Sequence, residues 1–212
     1  MLALIVFGCG EMARAQSVVA AIGQIVTESI LPGGYTAGAE LRTFLRSNTW
    51  RAYAATRPDS TLMNDIFSLA FMRSGGNRRE AVFASALAVL EHRTIPLRLP
   101  FGGELDLPLT LETETNFERR VASLPTHVYS ERVEDRDKLQ HFFFSAYLEQ
   151  SIGTSWIVSA LGSLIETGEE LFVIGGANDA RDRHANADGV RFARALARDP
   201  NVRPTDCLTP NP

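Results

Sequence analysis

The sequence predicts a mainly α fold, a compact helical protein with a small β-ribbon near residues 95–110. Three observations carry this reading. Apolar residues recur at three- and four-residue spacing, as where Leu62, Met63, Ile66, Phe67 and Ala70 fall on one face. Breakers punctuate these stretches at helical lengths: Pro58-Asp59-Ser60, Ser74-Gly75-Gly76-Asn77, Pro125 and Gly153. Alternation is confined to residues 94–115, where Leu97-Arg98-Leu99 and Leu105-Asp106-Leu107 flank Pro100-Phe101-Gly102-Gly103.

Taken in order, residues 17–35 read as irregular and end in the turn-like Pro32-Gly33-Gly34. A helix over 39–55 follows, with Leu41, Phe44, Leu45 and Ala52 on one side, and then a second helix capped by Asp59 or Ser60. Residues 81–90 are apolar on nearly all sides, which places that helix deep in the core. Pro96, Pro100 and Pro108 restrict the ribbon to an edge or an isolated position, since proline cannot donate to a ladder. A short helix near 117–122 stops at Pro125, and helices over 139–152 and 155–174 meet at a tight turn at Gly153. A loop over 175–182 leads to a last helix near 184–197, and the tail from Pro200 is expected to be extended or disordered.

A chain of 212 residues, 45% hydrophobic and 22% charged, can bury a full core and is not disordered throughout. Its net charge of −4, with arginines scattered rather than clustered among aromatics, gives no electrostatic footprint for nucleic acid. Cys9 and Cys207 are the only cysteines, with no CxxC and no Cys/His spacing, which argues against structural zinc.

The N-terminus supports three readings. An apolar stretch from Leu2 to Gly8, followed by Ala13-Arg14-Ala15, fits a signal peptide over residues 1–15, cleaved before Gln16. Val6-Phe7-Gly8-Cys9 is a degenerate lipobox that would make Cys9 a lipid anchor. Gly8-x-Gly10-x-x-Ala13 could open a dinucleotide-binding turn, but no strand ending in an acidic residue follows. Export is favoured, and the rest divides into a helical region with a ribbon (16–134), a helical unit (135–200) and a tail (201–212). The most apolar later stretch, 156–174, is broken by Glu166, Glu169 and Glu170, so a membrane span is not expected.

Three polar blocks interrupt the apolar C-terminal third. Asp137 and His141 share a helix face four residues apart, a spacing that suits two ligands of one metal or, alternatively, a cap and a hydrogen-bonded histidine. Glu166 and Glu170 repeat that spacing, and paired carboxylates opposite a His/Asp pair are how helical bundles build metal sites. Asp182 and Asn186 bracket the start of the last helix, where capping would equally account for them. His184 reads as a surface histidine. The six residues Asp137, His141, Glu166, Glu170, Asp182 and Asn186 form the candidate cluster. It is either a structural network or, through Asp137, His141, Glu166 and Asp182, a site for a divalent metal and the hydrolytic chemistry a metal supports. No other cofactor is implied. Without a Gly-x-Ser-x-Gly elbow, acyl transfer has no positive support.

Asp137-Lys138-x-x-His141-Phe142, an acidic position at Glu166, and Asp182-x-x-Ala185-Asn186-x-x-Gly189 together resemble the signature shared by VanZ-like proteins and YfiM-like exported lipoproteins. The resemblance covers about residues 135–197, with all three blocks in order and spacing. Glu149, Glu166, Glu169 and Glu170 set the chain apart from the membrane-spanning VanZ-like proteins and closer to the exported variant. The resemblance implies periplasmic or outer-envelope association, a helical unit and a polar cluster.

Overall fold

The computed structural model describes residues 32–98, 104–108, 110–151 and 180–209. The expected signal peptide with Cys9, Gly8 and Gly10, and the expected helix over 155–174 with Glu166 and Glu170, fall on residues outside the described ones. The chain is mainly helical. Its described helices are α1 (Pro32–Leu45), α2 (Asn48–Ala54), α3 (Asp59–Arg73), α4 (Arg78–Ala88), α5 (Glu114–Val121), α6 (Arg136–Ser151) and α7 (Ala180–Arg198). A 3-10 turn, η1 (Pro204–Cys207), follows them. Two extended segments, β1 (Thr94–Arg98) and β2 (Glu104–Pro108), run antiparallel with Thr94 opposite Pro108, and pair with no third strand among the described residues.

The core forms around α4, which packs on α1, α3 and α6. Every residue from 81 to 90 is buried, and the alanines at 81, 84, 86 and 88 let three helices approach one axis. Asn77 caps α4 by accepting the Glu80 N–H at 3.2 Å, after a turn in which Gly75 and Gly76 take φ of 60° and 84°.

The structure corrects the reading of Pro32-Gly33-Gly34 as a turn. These residues form the first turn of α1, where proline loses no hydrogen bond because that N–H has no intrahelical partner. The glycines are there for contact. A Cβ on Gly34 would stand 2.9 Å from Phe83 Cδ1 and 3.2 Å from the Glu80 carbonyl oxygen, and one on Gly38 would stand 3.2 Å from Leu87 Cδ1. The expected helix over 39–55 is two helices, broken where the Ser47 hydroxyl accepts the Trp50 N–H at 3.1 Å. Trp50, not the exposed Ala52, anchors α2, and its indole N–H donates to the Ser123 carbonyl at 3.0 Å. Neither Asp59 nor Ser60 caps α3. Pro58 holds that position without a side-chain bond, and Asp59 Oδ2 instead accepts the Thr126 and His127 N–H groups at 2.8 and 2.6 Å.

The α6–α7 pair completes the core. A Cβ on Gly189 would fall inside van der Waals contact with the Phe142 carbonyl oxygen and 3.2 Å from the Ala146 nitrogen, so the crossing closes only on glycine. Phe192 stacks near Phe142, with centroids 5.4 Å apart, and meets Phe67 of α3 edge-on at 5.0 Å. The tail is docked rather than loose. Pro204 is buried, and the Thr205 N–H and hydroxyl both donate to Asn64 Oδ1 at 3.1 Å. The expectation of an extended tail fails over residues 204–207, because Pro204 opens a 3-10 turn that fits between α3 and α7.

Candidate functional site

Helical spacing puts Asp137, His141 and Ser145 along one ridge of α6, facing Asp182 and Asn186 of α7. His141 Nδ1 lies 3.3 Å from Asn186 Oδ1, and its Nε2 lies 3.5 Å from Asp182 Oδ1. The Ser145 hydroxyl donates to the same Asn186 oxygen at 2.9 Å. With Asn186 Oδ1 as acceptor, the Nδ1 position carries a proton.

Lys138 organises the acidic side of the cluster. Its side chain is 3% exposed, yet its ammonium donates to Asp137 Oδ2 at 2.5 Å and also to Asp182 Oδ1. Burial alone would lower the lysine pKa, but the two carboxylate hydrogen bonds outweigh it and hold the pKa above the ordinary value. His141, Asp182 and Asn186 therefore meet directly, and Asp137, about half exposed, joins them through Lys138. Glu166 and Glu170 lie outside the described residues. Among the described residues, no group of three or more His, Cys, Asp or Glu is arranged to hold a metal. The space between Asp137 and Asp182 is filled by the Lys138 ammonium.

Sequence reasoning missed several participants. Lys138 stands inside the Asp137–His141 block, but the sequence alone gives it no role. Glu91, just past α4, ion-pairs with Arg136 at 3.6 Å and donates its N–H to Gln140 Oε1 at 3.1 Å. Burial pushes its carboxyl up to about 7; Arg136 and Lys138 oppose the rise, and Asp137 and Glu134 add to it. His184 is not a free surface histidine. Its Nε2 sits 2.7 Å from the Thr209 hydroxyl and 3.7 Å from Asp188 Oδ2. Asp188, fully buried on α7, pairs with Arg191 and accepts the Thr209 N–H and hydroxyl, both at 3.1 Å, which fastens the tail. The Asp182–Gly189 block thus serves three directions: Asp182 and Asn186 toward α6, His184 and Asp188 toward the tail, Ala185 and Gly189 into the crossing.

A second polar centre lies at the carboxyl end of α4. Arg120, fully buried on α5, donates Nη1–H to the carbonyls of Ala88 and Leu90, both at 2.9 Å, capping α4. Its Nε–H donates to Glu112 Oε2 at 2.9 Å, and Arg46 reaches Glu112 Oε1 at 3.4 Å. Arg42, 6% exposed, lies within electrostatic range of Glu112, Arg46 and Arg120. No sequence signal marked this centre, because its members are far apart in the chain. Compared with family models, with curated proteins and with solved structures, the chain matches none.

Proposed function

We propose that this is an exported, envelope-associated and non-catalytic helical protein, and that its Asp137–His141–Asp182–Asn186 cluster is an internal network tying α6 to α7. The observation that carries the network reading is Lys138: a buried ammonium bonded to both carboxylates supplies the positive charge a metal would otherwise bring. His141 then orients Asn186 and Asp182 rather than acting as a ligand. The export reading rests on the apolar stretch from Leu2 followed by Ala13-Arg14-Ala15, and on the ordered blocks that resemble YfiM-like exported proteins. Among the described residues no helix is long and apolar enough to cross a membrane, and Glu166, Glu169 and Glu170 interrupt the most apolar later stretch of the sequence. We also take β1 and β2 to be a peripheral ribbon outside the core.

Equilibration of purified protein with zinc or manganese, followed by desalting and elemental analysis, tests the network. The expected result is no stoichiometric metal and no shift in thermal midpoint. One bound equivalent, lost in His141→Ala, would overturn the network in favour of a metal site. Intact mass of protein recovered from cell fractions tests export: a chain beginning at Gln16 outside the cytoplasm supports it. A full-length cytosolic chain that binds NAD would return the dinucleotide reading.

A further inference from the structure

We propose that the cleft between α3 and α7 is a docking site for the segment Pro204–Thr209, and that a second copy of the chain can fill it with its own segment, giving a dimer by exchange. The cleft is built to hold this segment, the segment keeps its shape by itself, and a solvent-exposed hinge joins the two.

The cleft reads main chain and side chain together, as a peptide site does. Pro204 is buried in it, and Val202, Cys207 and Leu208 pack against the core beside it. Asn64 of α3 accepts both the N–H and the hydroxyl of Thr205, each at 3.1 Å. On α7, the buried Asp188 carboxylate accepts the N–H and the hydroxyl of Thr209. His184 Nε2 donates to the Thr209 carbonyl at 3.0 Å. Departure of the segment strips two donors from Asp188 and bares the apolar seat of Pro204, so refilling is favoured over an empty cleft.

The segment carries its own scaffold. The Arg203 N–H donates to Asp206 Oδ2 at 2.9 Å, the Arg203 guanidinium to Asp206 Oδ1 at 3.2 Å, and the Leu208 N–H to the Thr205 carbonyl at 3.3 Å. These bonds travel with the segment, so it meets a second cleft already shaped for it. The hinge is residues 199–203, of which 199, 200, 201 and 203 are exposed and Val202 is the one that packs on the core. Its hydrogen bonds are local: the Asp199 N–H donates to the Ala195 carbonyl and the Asn201 N–H to Asp199 Oδ1, both at 2.8 Å. Opening it breaks nothing inside α7. A second copy supplies the same residues, so the exchanged pair is two-fold symmetric. Within one copy, the short hinge gives the segment an effective concentration on the order of millimolar. Exchange therefore emerges near that concentration, or when the hinge is too short to fold back.

The test uses the full chain, with mass read by size exclusion and light scattering. Native protein held at about 1 mM just below its thermal midpoint and then cooled should yield a dimer, which reverts to monomer when re-warmed after dilution by about a hundredfold. A chain lacking Pro200 and Asn201, its hinge shorter by roughly 7 Å, should dimerise at micromolar concentration without warming. Adding Thr205→Ala and Thr209→Ala to that chain should weaken the dimer by about tenfold or more. Where the shortened chain does not fold, the same two substitutions in the native hinge decide, and they should remove the dimer formed on warming. A dimer that withstands both substitutions is held by another surface and overturns the exchange. Native protein that stays monomeric throughout the warming overturns it, as does a shortened chain that folds and stays monomeric.

Discussion

Two polar centres, one between α6 and α7 and one at the carboxyl end of α4, solve the same problem in opposite ways. Between α6 and α7, one buried lysine is shared by two carboxylates, and each carboxylate still reaches water through an exposed edge. At the end of α4, one buried carboxylate is shared by two arginines with a third close by, and the deepest guanidinium has no exposure at all. The first centre is closed in charge and half-open to solvent. The second is mostly closed to solvent, with Arg120 and Glu112 buried and Arg46 part-exposed at its edge. Desolvation is the larger energy of the two, so the arginine centre should be the more sensitive to losing its counter-ion.

The largest effect should come from Glu112→Gln, which leaves the guanidinium groups without an acid. A loss of about 3–5 kcal/mol in denaturant unfolding is expected, against about 1–2 kcal/mol for Asp182→Asn, where Asp137 and solvent remain. If Asp182→Asn costs more than Glu112→Gln, the contrast is broken. Gly189→Ala should rank next, at roughly 2–3 kcal/mol, since its methyl group meets the Phe142 carbonyl and pushes α7 off α6. It should also weaken the His141–Asn186 contact, visible as a shifted His141 ring signal by NMR. A change below about 0.5 kcal/mol would mean that the crossing is looser than described.

The smallest effect is one of pH. Glu91 is protonated up to about 7 in the folded chain but only to about 4.5 when unfolded. The folded state therefore binds the extra proton across that window, and stability falls as pH rises through it. Glu91→Gln should flatten the slope of stability against pH between about 4.5 and 7, as measured by urea unfolding at several pH values. An unchanged slope would assign the dependence to other groups.

How far the sequence could be read differs between the same two centres. Asp137, His141, Asp182 and Asn186 announced themselves because polar side chains at helical spacing inside apolar segments are conspicuous. The helices themselves were readable for the same reason: the buried face of α3 and the nearly all-apolar 81–90 need no tertiary knowledge. Arg42, Glu112 and Arg120 each look like ordinary surface charges, and only the fold brings residues 42, 112 and 120 beneath one helix end. Glycine misled in the other direction. Gly33 and Gly34 carry a turn's composition, but what they supply is the missing Cβ that lets α1 lie against Glu80 and Phe83. Local chemistry names a residue's options, and the neighbour across the core selects among them.

The docked tail has a consequence for synthesis. Asn64 is held by Thr205, 141 residues later in the chain, and α7 is held by Thr209 through Asp188. While the ribosome is still making the last helix, α3 has its apolar face but not its final clamp, and the polar edge of α7 is unfastened. Contacts of such long sequence separation are slow to form and are made after the local ones. The nascent chain should thus pass through a helical intermediate that is complete in its centre and unlatched at its rim, and it becomes fully protected from proteases only after residues 204–209 emerge.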